Sequence, residues 1–303
     1  MTTILPSSPA QFVLPASVAF LILMISLLFG NEYAFARASQ RIKDVAYLPT
    51  TAKEFNPERH ILDIYTPRQS SMAQPVVVFI HGGNWNTGNK NLYAFIGRRL
   101  AKQGVVTVVI NYRLSPAVEV PAMADDCARA VSWVAQHIAQ YGGNPTRIFT
   151  MGHSAGGGLA ALLATDNQLI SKAGLAENPV KGVILEDPAG LDMYDYLTKM
   201  QYSGDEQYLV PFGKNPDGWR AVSPIYFVEA KSPPMLLYVG EKTYPSIINS
   251  TNRFRERLQQ LGVKHKFTVV SGKKHIGMVT QLFWKNNRIY RDLLTFVNNS
   301  NSF

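Results

Sequence analysis

The chain is predicted to fold as an α/β domain, a mostly parallel central sheet with helices on both faces. Three observations carry this reading. Continuous apolar runs of strand length alternate with runs of helical length along the 303 residues, the pattern of strands buried on both faces. One such run, Ile148 to Met151, enters Gly152-His153-Ser154-Ala155-Gly156 and leaves through small residues. Another, Val76 to Ile80, runs into His81-Gly82-Gly83-Asn84-Trp85. Both motifs fall at carboxyl ends of strands, where open parallel sheets bind their ligands.

The elements follow in order. Ile61 to Tyr65 and Val76 to Ile80 read as strands, and Leu92 to Gln103 as a helix closed by Gly104 at a left-handed cap. Val105 to Asn111 is the next strand, and Met123 to Tyr141 the next helix. Cys127 lies in that helix as a buried small hydrophobe; as the single cysteine it excludes an intrachain disulfide. Ile148 to Met151 is a strand, Gly157 to Thr165 a helix, and Val180 to Leu185 a strand. Residues 192–219, rich in Tyr, Gly and Pro, show no clean period and read as a small cap insertion. Tyr194, Tyr196, Met200, Tyr202, Tyr208, Phe212 and Trp219 would give it an aromatic lid or simply pack it on the sheet. Met235 to Val239 and Lys266 to Val270 close the strand series, with helices over Ile247 to Leu261, capped by Gly262, and Gln281 to Val297.

The two motifs fit one chemistry. A serine hydroxyl is a weak nucleophile until it stands on a sharp, exposed turn beside a base. Gly152 and Gly156 are small enough for strand and helix to cross closely around Ser154. Glycines after the Val76 to Ile80 strand free backbone N–H groups to face a developing oxyanion. Together, in this order, the motifs predict a serine hydrolase of the α/β-hydrolase fold.

Further segments occur in one order with these: Leu62-Asp63-Ile64-Tyr65-Thr66-Pro67, Asn111-Tyr112-Arg113-Leu114-Ser115-Pro116, Asp126 to Trp133, Tyr141-Gly142-Gly143-Asn144-Pro145 and Ala221-Val222-Ser223-Pro224. From about residue 60 onward the chain resembles the carboxylesterases related to hormone-sensitive lipase. It is most similar to the HGGxW branch, which includes feruloyl and acetyl esterases and kynurenine formamidases. The resemblance implies a nucleophile at Ser154, a general base at His275 and oxyanion donors at Gly83, Asn84 and Ala155. It implies no metal and no cofactor, and a small-molecule ester as partner. His81 reads as a brace of the glycine loop; His60, His137 and His265 have no catalytic context.

The acid departs from the pattern. Relatives carry Asp three residues after the glycine ending the penultimate strand, where this chain has Thr243. Threonine holds no charge opposite an imidazolium. Asp187, after the Val180 to Leu185 strand, is the preferred replacement, with Glu241 second and Asp192 third.

The apolar stretch Val18 to Phe29, followed by Ala34-Phe35-Ala36, reads as a secretory signal peptide over residues 1–36 ahead of a catalytic domain over 37–303. Residues 1–36 hold no Lys or Arg, so the alternative is an uncleaved anchor over residues 13–30. An exported enzyme is expected, periplasmic or secreted; membrane contact is expected only if this segment stays uncleaved. The net charge of +9 is dispersed, and no helix shows a basic stripe, which argues against nucleic-acid binding. Two other functions fit the motifs. One is an arylformamidase-like amide hydrolase. The other is a degenerate, non-catalytic hydrolase-fold binding protein, suggested by Thr243 and Asn84.

Overall fold

The computed structural model describes residues 39–68 and 72–299. The predicted signal peptide or anchor lies outside them. Among the described residues one sheet runs in the order β1-β2-β4-β3-β5-β6-β7-β8. Its strands are β1 (Ser39–Ala46), β2 (Ile61–Pro67), β3 (Gln74–Ile80), β4 (Val106–Ile110), β5 (Gly143–His153), β6 (Val180–Glu186), β7 (Met235–Gly240) and β8 (His265–Val270). From β4 through β8 every pairing is parallel. Pairs β1–β2 and β2–β4 are antiparallel.

The parallel strands carry apolar residues on both faces because helices cover both. On one face, α1 (Ala94–Ala101) and the terminal helix pack on Val77, Phe79, Val109, Met151, Ile184 and Tyr238. On the other, α2 (Val120–His137) and α3 (Ala155–Thr165) pack on Val76, Val78, Ile80, Val108, Ile148 and Leu185. Helix α3 is buried at every position, so its sequence, apolar up to Thr165, needs no polar stripe. Cys127 is fully buried within α2.

Three features differ from the sequence reading. Strand β1 was not predicted, because Ser39-Gln40-Arg41-Ile42-Lys43-Asp44 is polar; it lies at an edge of the sheet. Ile42 and Val45 pack partly on the core, and charge latches the strand further. Arg41 pairs with Asp63, and the buried Lys90 binds Asp63 at 2.8 Å and also Asp44. Second, the predicted helix over 281–297 breaks. A 3₁₀ turn spans Gln281–Phe283, and Asn287 then caps a new helix, Arg288–Asn298, by accepting from the Ile289 N–H at 2.7 Å.

Segment 192–219, between β6 and β7, is helical rather than irregular. It holds α5 (Met193–Lys199), a 3₁₀ turn (Asp205–Tyr208), α6 (Leu209–Phe212) and the start of α7 (Pro216–Ala221), with α4 (Asn167–Lys172) preceding it. These helices are too short to show a 3.6-residue period in the sequence.

Candidate active site

Ser154 sits between β5 and α3 at φ 56°, ψ −126°, a conformation that non-glycine residues rarely adopt. The turn is held from both sides. The Ser154 N–H donates to the Glu186 carbonyl at 3.1 Å, and the Ser154 carbonyl accepts from Gly157 at 2.8 Å and Ala189 at 2.9 Å. Close approach explains the flanking glycines. A Cβ on Gly152 would lie 2.1 Å from the Gly156 carbonyl oxygen, and one on Gly156 would lie 2.1 Å from that of Ile80.

His275 follows β8 and begins a short helix, α9 (His275–Thr280), once α8 (Pro245–Gln260) is counted. Its Nε2 lies 2.9 Å from Ser154 Oγ, and its Nδ1 lies 2.8 Å from Asp187 Oδ2. Asp187 is fully buried, so its carboxylate must be hydrogen-bonded throughout. The Gly240 N–H donates to Oδ1 at 2.8 Å, and the Thr243 hydroxyl donates to Oδ2. Thr243, at the position where the family resemblance leads one to expect the acid, therefore acts as a donor to an acid on the neighbouring strand.

The other two candidate acids lie elsewhere. Glu241 accepts from Gly272 N–H at 2.6 Å and then from Ser271 Oγ at 3.0 Å, which hold its carboxyl below the usual carboxylate range. Asp192 caps α5 through Asp195 N–H at 3.0 Å and pairs with Arg253 at 2.7 Å. Neither contacts His275 in the way Asp187 does.

The loop after β3 wraps the opposite side. Gly83 has φ 127°, and a Cβ there would lie 2.3 Å from the Thr87 carbonyl oxygen. Asn84 and Trp85 follow at φ 54° and 59°. Gly83, Asn84, Ser154 and His275 line one cavity of about 600 Å³, a volume suited to a small organic ligand. Its far wall carries Tyr196, Tyr202 and Tyr208 from the segment between β6 and β7. Phe212 and Trp219 are buried instead, and Trp85 joins loop to segment through edge contacts to Phe212 at 4.7 Å and Tyr208 at 5.9 Å. The predicted lid thus divides into cavity-lining tyrosines and packing anchors.

Sequence reasoning missed His153 and Glu186 as supporting groups, and read His81 as a brace of the glycine loop. The His153 Nε2–H donates to the His275 carbonyl at 3.1 Å, and burial lowers this imidazole to about 4. His81 donates from Nδ1 to the Gly82 carbonyl at 2.8 Å and stacks on Tyr112 at 4.4 Å; burial lowers it also to about 4. Both are neutral braces at physiological pH. Glu186, beside Asp187, is fully buried, and burial followed by the Asp187 charge pushes its carboxyl well above the usual range. Position next to the strand end is the one signal the sequence offers for it. A second His–Asp pair, His60 Nε2 to Asp126 Oδ1 at 3.2 Å, is buried with Arg113 on the same carboxylate.

The BD-FAE family model matches residues 62–258. The isoprenylcysteine alpha-carbonyl methylesterase of Arabidopsis thaliana is 30% identical over 241 residues, 74% of this chain and 55% of that protein. Esterase LipQ of Mycobacterium tuberculosis is 29% identical, over 75% of this chain and 54% of that protein. The chain thus spans little more than half the length of these curated relatives. Among solved structures, a truncated carbohydrate esterase from gut microbiota superposes with TM-score 0.72 at 24% identity, covering 87% of this chain and 96% of that one. Esterase B from Lactobacillus rhamnosis gives TM-score 0.72 at 19% identity, with 94% and 97% covered. These likenesses establish the α/β-hydrolase fold.

Proposed function

The chain belongs to the BD-FAE family of α/β-hydrolases, and from that premise we propose that it hydrolyses carboxylic esters through an acyl-enzyme on Ser154. The observation that carries the reading is the unbroken relay from Ser154 Oγ through both nitrogens of His275 to Asp187.

Asp187 accepts from Nδ1–H, which fixes the tautomer that leaves Nε2 free to take the Ser154 proton. Ser154 Oγ attacks the ester carbonyl, and the carbonyl π pair moves onto oxygen. The N–H groups of Gly83, Asn84 and Ala155 act as the oxyanion hole, and Ser154 as the nucleophile elbow. His275 passes its proton to the leaving alcohol as the tetrahedral intermediate collapses. Water, deprotonated by the same imidazole, then releases the acid. The buried, triply bonded Asp187 stabilises the imidazolium without itself taking the proton. The cavity volume and its tyrosine wall support substrates of small to medium size. Export of the catalytic domain rests on the apolar residues before 37, with anchoring by residues 13–30 as the second reading.

The test is hydrolysis of p-nitrophenyl acetate, butyrate and octanoate by the full chain, with Ser154→Ala purified in parallel. Turnover is expected to vanish in the variant while its circular dichroism and melting curve are unchanged. Equal rates from the two proteins would overturn the assignment.

A further inference from the structure

Large apolar side chains are exposed on one flank of the cavity mouth. Trp284 is 74% exposed, Ile276 64%, Leu92 63% and Phe283 47%. They come from two segments, residues 90–95 and 275–284, that meet where Phe95 and Phe283 stack at 3.9 Å. The same two segments send Tyr93, Ile276 and Val279 into the cavity wall. The apolar strip therefore runs from the open mouth outward, rather than lying at a remote place on the surface.

Charge accompanies it. Between Lys273 and Arg291 the chain carries Lys273, Lys274, Lys285, Arg288 and Arg291 and no carboxylate. Asp292, the next acid, is engaged by Tyr238 at 2.9 Å, Lys266 at 3.1 Å and Arg288 at 3.5 Å. Glu241 is tied to Ser271 and Gly272. An exposed tryptophan followed by a lysine, in a segment that is basic and free of carboxylates from Lys273 to Arg291, matches an anionic bilayer. Rings and aliphatic chains enter the headgroup boundary while cations stay with the phosphates.

We propose that this flank is a docking surface for an anionic lipid membrane, placing the cavity mouth against the bilayer. The proposal goes beyond ester hydrolysis, since docking does not require turnover.

Trp284 makes the test direct. The other tryptophans are Trp85 and Trp219, both buried, and the partly buried Trp133, and residues 1–38 contain none. The full chain is mixed with phosphatidylglycerol vesicles carrying brominated acyl chains, and with phosphatidylcholine vesicles carrying the same label. Docking predicts a blue shift and quenching in the anionic vesicles that disappear in Trp284→Phe. Lys285→Glu or 0.5 M salt should weaken partition several-fold. Vesicle binding with Trp284 emission unchanged, as anchoring by the N-terminal segment alone would give, overturns the proposal. So does an absence of vesicle binding. An emission shift that follows protein concentration without lipid also overturns it and assigns the strip to contact between two copies of the chain. Because Phe is itself apolar and the position is exposed, folding of the variant is not at issue. Failure of ester hydrolysis would leave the quenching result unaffected.

Discussion

Asp187 receives hydrogen bonds from three separate places: the Gly240 N–H at the end of β7, the Thr243 hydroxyl beyond it, and His275 Nδ1 after β8. Asp187→Asn is expected to lower kcat by about 10⁴-fold, because an amide does not hold the imidazole in the needed tautomer. Thr243 donates to the same oxygen that faces His275, so a carboxylate there stands within reach of the ring. In the double variant Asp187→Asn, Thr243→Asp, part of that loss is expected to return; steady-state kinetics on p-nitrophenyl butyrate checks both. No recovery would mean that the geometry at Thr243 cannot orient the imidazole. At this scale the sequence reveals that Thr243 departs from its relatives and that Asp187 stands at a strand end. It does not reveal that the two side chains touch, because they are 56 residues apart and meet only once β6 and β7 pair.

The strand-turn-helix around Ser154 is legible because close approach of strand, helix and the neighbouring β3 needs glycine at both flanks, which leaves a fixed short motif in the sequence. The parallel strands are legible because burial on both faces leaves continuous apolar runs. Strand β1 is not, since a polar edge strand held by Asp63 and Lys90 has no such run. The tyrosine-rich segment between β6 and β7 is legible as an insertion but not as helices, since each helix is short and its anchors point at another loop. Trp85 is the chief anchor. Trp85→Ala is expected to cost about 3–5 kcal/mol of stability and to loosen residues 205–212. The expected kinetic signature is a KM that rises most for longer acyl chains while kcat on acetate stays near normal. Chemical denaturation and a chain-length series measure the two effects.

Across the molecule, buried titratable groups set a pH dependence. His81 and His153 are both lowered to about 4 by burial. Protons therefore bind the unfolded chain more readily between about 4 and 6.5, and each imidazole contributes stability that is present above 6.5 and lost as pH falls. The loss is on the order of 3 kcal/mol for each residue across that window. Replacing His153 by Asn should flatten the fall in urea midpoint between pH 7 and pH 4. Glu186 acts in the other direction, since its pKa is raised: its contribution is present below 4.5 and is lost as pH rises. Glu186→Gln should therefore gain stability over the parent as pH increases from 4 to 8. A difference that stays constant with pH would show that Glu186 is already ionised in the folded protein.

The convergence of β6 and β7 on one carboxylate oxygen also bears on how such a site changes by descent. A chain carrying acids at both strand ends would keep its imidazole paired while either one was lost. The carboxylate can thus migrate between strands without passing through an unpaired intermediate. Thr243 stands at the second of those strand ends and is hydrogen-bonded to the carboxylate at the first.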